Sequence, residues 1–123
     1  MISFVSTVTV NVSDQEKALD FFVNKLDFKV KTDVLMPNGF RWLEIATPQG
    51  ETTVNLNKVE ATETKENKYS GFLFQTPDIQ ATYQELTAKG VEFTAVPEQQ
   101  GWGMWAEFKD SDGNLYGMSQ MPS

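Results

Sequence analysis

Over residues 3–11 apolar and polar side chains alternate with a period of two, the spacing of a strand that buries one face. Ser13-Asp14-Gln15-Glu16 follows, and a serine with a glutamate three residues later is a capping box, so a helix is predicted to begin there. Leu19, Phe22 and Leu26 recur at spacings of three and four as its buried stripe, after which Asp27-Phe28-Lys29-Val30 returns to strand. The second half repeats the order. Gly71-Phe72-Leu73-Phe74 is strand-like, Thr76-Pro77-Asp78 opens a helix with the stripe Ile79, Tyr83 and Leu86, and Ala88-Lys89-Gly90 ends it, since a glycine past the last turn accepts the left-handed conformation. Val91-Glu92-Phe93 then resumes a strand. Each half continues into a hairpin: residues 40–47 and 52–57 flank Pro48-Gln49-Gly50-Glu51, and residues 104–109 and 115–120 flank Asp110-Ser111-Asp112-Gly113-Asn114.

The pattern is therefore β-α-β-β-β, written twice. The predicted fold is α+β, two tandem βαβββ modules whose curved mixed sheets enclose a cleft, since a single such sheet would leave one face and both edges bare. A length of 123 residues suits one such domain, with module 1 at about 1–58, a linker at about 59–68 and module 2 at about 69–123. The linker is read from Glu60, Thr62, Glu63, Thr64, Lys65, Glu66 and Asn67, which offer almost nothing apolar to bury.

Composition narrows the chemistry more than the fold. There are no cysteines and no histidines, which removes thiolate nucleophiles, cysteine-based metal sites, and the commonest transition-metal ligand and general base. A net charge of −7 repels phosphate backbones and anionic lipid, so neither nucleic acid nor a membrane is an expected partner. Met1 leads straight into Ile2-Ser3-Phe4-Val5 with no basic segment and no long apolar run, and the expected location is the cytoplasm.

Thr7-Val8-Thr9-Val10-Asn11-Val12-Ser13-Asp14 leading into Ala18-Leu19-Asp20-Phe21-Phe22, then Lys25-Leu26-Asp27-Phe28, Arg41-Trp42-Leu43, Asp78-Ile79-Gln80-Ala81-Thr82-Tyr83, Lys89-Gly90-Val91-Glu92-Phe93 and Phe108-Lys109-Asp110-Ser111-Asp112-Gly113-Asn114 stand in an order and spacing that resembles the vicinal oxygen chelate superfamily. That superfamily includes glyoxalase I, fosfomycin-resistance enzymes, extradiol dioxygenases and bleomycin-binding resistance proteins, and the resemblance covers nearly the whole chain. It implies a metal held by a histidine on the first strand, a ligand opening the second module and a glutamate on the last strand. By the resemblance these positions are Thr7, Gly71 and Gly117 here, a weak hydroxyl and two residues without side chains. No metal and no cofactor are therefore expected. An oxygen-only site built from Glu44 and Glu107 is the alternative.

The candidate ligand contacts are Thr7, Thr9, Phe40, Trp42, Glu44, Asn55, Trp102, Trp105 and Glu107. Alternation puts Thr7, Thr9 and Asn11 on one face, toward the cleft or toward solvent, and turns Val8, Val10 and Val12 into the core. Trp42 and Glu44 share a face, as do Trp105 and Glu107, which offers an aromatic and acidic pair in each half for a flat, partly cationic ligand. Trp42 as plain core, Trp102 as a mobile cover over nearby apolar surface, and Arg41 in a surface ion pair rather than on a ligand anion are the competing readings. The leading functional expectation is a metal-independent protein that sequesters a small aromatic or cationic molecule, an antibiotic of the bleomycin type for example, as a homodimer. The resemblance equally admits a lyase or dioxygenase using an unrecognised divalent metal, or an isomerase with Glu44 or Glu107 as base. An interaction domain that keeps the fold without a ligand is the third reading.

Overall fold

A computed structural model of the chain describes residues 1–60 and 68–120, so most of the predicted linker lies outside the described residues. The chain divides into two compact units, Met1–Thr64 and Lys65–Ser123. The first runs β1 (Thr7–Val12), α1 (Gln15–Leu19), a π-helical turn (Asp20–Lys25), β2 (Lys29–Leu35), β3 (Arg41–Ala46) and β4 (Thr53–Lys58). The second runs β5 (Lys68–Gln75), α2 (Ile79–Ala88), β6 (Glu92–Gln100), β7 (Gly103–Lys109) and β8 (Asn114–Gln120). The sheets are ordered β1-β4-β3-β2 and β5-β8-β7-β6, the same order twice, with the first and last strand of each unit parallel. These are the two α+β modules expected, as two open mixed sheets. No helix among the described residues is long and apolar enough to cross a membrane.

Three local expectations are corrected. Strand β1 begins at Thr7, not at residue 3. The first helix is capped by Asp14, whose side chain accepts from the Glu16 and Lys17 amides, rather than by a Ser13–Glu16 box. Aspartate at this place also carries charge toward the positive end of the helix, which serine does not. Of the predicted stripe Leu19, Phe22 and Leu26, only Phe22 is buried and the leucines are half-buried; Gln15, Ala18 and Phe21 complete the buried set. The π-helical turn widens the spacing, so two consecutive phenylalanines both face inward where a regular 3.6-residue period would turn one of them out.

Each unit has its own apolar centre. In the first, Phe22 is fully buried and meets Phe21 edge-on at 5.2 Å and Phe28 at 5.4 Å, above Val10, Val12, Leu43, Ile45, Val54 and Leu56. Val10 and Val12 are core as expected, whereas Val8, expected beside them, is only half-buried near the start of the strand. In the second, Phe74, Phe108 and Tyr116 form a stacked trio with centroids 5.6–6.2 Å apart, beneath Ile79 and Leu86 of α2. Tyr83, the third member of that stripe, packs edge-on against Phe93 at 4.7 Å.

The Asp110–Asn114 loop is more than a turn. Asp110 is buried, and its carboxylate accepts from the Asp112 and Asn114 amides, from Asn114 Nδ2 at 3.0 Å and from the Tyr116 hydroxyl at 2.7 Å. Burial and the adjacent Asp110 charge both push the Tyr116 phenol above its ordinary value.

Candidate functional site

Each sheet has one face covered by its helix and one that is not, and the candidates fall mainly on the second kind. In the first unit, parallel pairing sets Thr7 against Thr53 and Thr9 against Asn55, and antiparallel pairing sets Glu44 against Asn55. Residues directly opposite one another project on the same side, so Thr9, Asn55 and Glu44 form a row across three strands. Asn55 Nδ2 donates to Thr9 Oγ1 at 3.3 Å, Thr53 Oγ1 donates to Glu44 Oε2 at 3.1 Å, and Thr7 Oγ1 donates to the Thr53 carbonyl at 3.2 Å. Asn55 is only 5% exposed, and its Oδ1 is buried without a hydrogen-bond partner among the described residues. An unmade buried acceptor costs about 1–3 kcal/mol, so this oxygen calls for an explanation. Trp42 lies two residues before Glu44 on β3, opposite Val34, and is partly exposed rather than core. Phe40 precedes the strand, with its ring 6.4 Å from that of Trp42.

In the second unit Glu107 stands opposite Gly117 and Trp105 opposite Ser119, while Leu73 pairs with Gly117 from the other side. The predicted Trp and Glu pair thus recurs on the third strand of each sheet. Thr94 Oγ1 donates to Glu107 Oε1 at 2.7 Å, as Thr53 does to Glu44. A β-carbon placed on Gly117 would lie 2.9 Å from both Leu73 Cδ1 and Trp105 Nε1, and 3.4 Å from the Tyr69 hydroxyl. Three side chains therefore close over the glycine in the volume that a side chain there would need. Trp102 lies in the turn between β6 and β7, half exposed and outside the strands.

The three positions that would hold a metal by resemblance do not fit one. Thr7 spends its hydroxyl proton on the Thr53 carbonyl. Gly71 sits in a bulge of β5 with φ at +84°, a conformation that favours glycine and leaves no side chain to coordinate. At Gly117 the space is taken by an indole, a methyl group and a phenol. Among the described residues, no group of three or more acidic side chains is placed to hold an ion either. Glu44 and Glu107 belong to different units, and each is anchored to a threonine of its own sheet.

Arg41 is committed to ion pairs, bidentate to Asp33 at 2.9 Å and to Glu16 at 3.0 Å, and its hydrogen bonds hold the Asp33 carboxyl below the usual carboxylate range. It borders a hollow of about 370 Å³ shared with Gln15, Phe40 and Lys58, a place that includes one predicted contact but not Trp42 or Glu44. Sequence reasoning missed Tyr69, Leu73, Thr53 and Thr94. No local signal marks them, because each reaches the candidate residues through strand pairing between distant segments.

The comparisons agree with this architecture. The model of the Glyoxalase/Bleomycin resistance protein/Dioxygenase superfamily matches residues 5–117. The protein YetH of Bacillus subtilis (strain 168) is 35% identical over 116 residues, 94% of this chain and 97% of that one. Among solved structures, a member of the same superfamily from Sphaerobacter thermophilus DSM 20745 is 36% identical with a TM-score of 0.89, covering 97% of this chain and 98% of the other. TnmS3, an antibiotic binding protein from Streptomyces sp. CB03234, is 36% identical with a TM-score of 0.86 and 98% coverage of both chains. With its duplicated β-α-β-β-β order, its two open mixed sheets and a family match over nearly its whole length, the chain belongs to the Glyoxalase/Bleomycin resistance protein/Dioxygenase superfamily.

Proposed function

We propose that this protein binds a small organic molecule, flat and aromatic or cationic, without a metal and without carrying out chemistry on it. The observation that carries the reading is the glycine at position 117, over which Trp105, Leu73 and Tyr69 close. An apolar, aromatic patch with a few placed polar groups is what a small-molecule site consists of, and Glu107 and Ser119 supply polar groups directly across the strands. Trp42 with Glu44 repeats the pairing on the first sheet. The antibiotic-binding character of TnmS3, 36% identical over 98% of this chain, supports an antibiotic-like ligand.

The test is a fluorescence titration against a panel of flat aromatic and cationic antibiotics. Saturable tryptophan quenching is expected, abolished in Trp105→Ala and weakened in Gly117→Glu, whose new side chain must displace the indole. Stoichiometric Mn, Fe, Ni or Zn retained after dialysis would overturn the metal-free reading. Unchanged affinity in both Trp42→Ala and Trp105→Ala would overturn the placement.

A further inference from the structure

The first sheet carries a hydrogen-bond acceptor that its own strands leave unsatisfied. Asn55 and Glu44 are direct partners across β4 and β3, so a carboxamide and a carboxylate stand side by side on the face away from the helix. The carboxamide nitrogen is used by Thr9, but its oxygen is buried and unpartnered in a side chain only 5% exposed. Thr53 engages one oxygen of Glu44 and leaves the other. Among the described residues Asn55 Oδ1 therefore has no donor, and on the same face Glu44 keeps one oxygen beyond the one Thr53 engages. A leucine or valine, like the flanking Val54 and Leu56, would fill such a place without an unmet polar group; an orphaned buried carbonyl points to a donor brought from outside the chain.

We propose that this face of the first sheet receives the protonated nitrogen group of a small organic ligand, an ammonium, amidinium or guanidinium. Asn55 Oδ1 accepts one N–H, Glu44 accepts another and balances the charge, and Trp42, on the same face, flanks the cation with its ring. A neutral alcohol would supply one hydrogen where two acceptors wait, and would leave the Glu44 charge unanswered. The inference rests on the ligand-binding reading above and narrows that ligand to a cation with N–H donors.

Benzamidinium and phenyltrimethylammonium are both flat cations, and only the first carries N–H groups. In a tryptophan-fluorescence titration, benzamidinium is expected to bind about tenfold more tightly than phenyltrimethylammonium. Asn55→Leu is expected to remove that advantage and leave phenyltrimethylammonium unchanged, whereas Glu44→Gln weakens both. The melting temperature of Asn55→Leu is expected at or above that of the unaltered protein, because a purely structural asparagine would lower it when lost. Should Asn55→Leu not fold, Asn55→Asp decides: it keeps an acceptor and must bind benzamidinium at least as well, and weaker binding overturns the inference. Equal benzamidinium affinity with and without the Asn55 carboxamide also overturns it. Quenching by neutral naphthalene that disappears in Trp105→Ala, with no benzamidinium binding, overturns the cation inference alone; no quenching by either compound overturns the binding reading as well.

Discussion

A single missing methyl group at Gly117 decides what the face of the second sheet away from α2 is made of. Alanine there would bring its β-carbon to 2.9 Å from Trp105 Nε1 and Leu73 Cδ1. The indole is rigid and must turn aside, so Gly117→Ala is expected to shift tryptophan emission and weaken ligand quenching, at an overpacking cost of about 1–3 kcal/mol in urea unfolding. Tyr116 makes a second residue-level case. Its phenol is held above the ordinary value by burial and by Asp110, so folding favours the protonated form. The stability this adds is fully present below the unfolded tyrosine value of about 10 and declines as pH rises beyond it. Urea melts at increasing alkaline pH are expected to show that decline in the unaltered protein and a smaller one in Tyr116→Phe. The same variant is expected to be less stable by about 1–3 kcal/mol at neutral pH, since Asp110 loses a 2.7 Å donor in the interior.

The elements of the first unit depend on a cap and a widened turn. Asp14→Ala removes the acceptor for two amides of α1 and is expected to cost about 1 kcal/mol in chemical denaturation. Phe22→Ala empties a fully buried site beside Phe21 and Phe28 and is expected to cost about 3–5 kcal/mol. A helix beginning near Asp14 was legible in the sequence, but the π-helical turn and the buried stripe it sets were not. Its extra residue per turn is stabilised by the burial of both Phe21 and Phe22 against the sheet, a tertiary gain that outweighs local preference. The second unit follows its pattern more closely, because Asp78 caps α2 at the place its sequence announces and Gly90 ends it.

At the scale of the whole molecule, a net charge of −7 with no histidine and no cysteine leaves carboxylates, carboxamides, hydroxyls, lysines and indoles as the working groups. If binding requires no metal, dialysis against a chelator is expected to leave both the melting temperature and ligand quenching unchanged; a drop in either, restored by a divalent metal, would contradict the proposal. The negative field also favours a cationic ligand at long range, and its association is expected to slow as salt rises.

Local signals in the sequence were sufficient for the duplicated order of strands and helices and for the two hairpins, because alternation, caps and turn residues act over a few neighbours, while the weak donors at positions 7, 71 and 117 were legible only through the family resemblance. The tertiary structure decided which distant residues meet: Leu73 and Trp105 over Gly117, Thr53 on Glu44, and Asn55 opposite Glu44 with its oxygen unpaired. Those meetings are set by strand register. A shift of one residue would reverse every face, and register is fixed only when whole sheets bury their apolar sides against a helix.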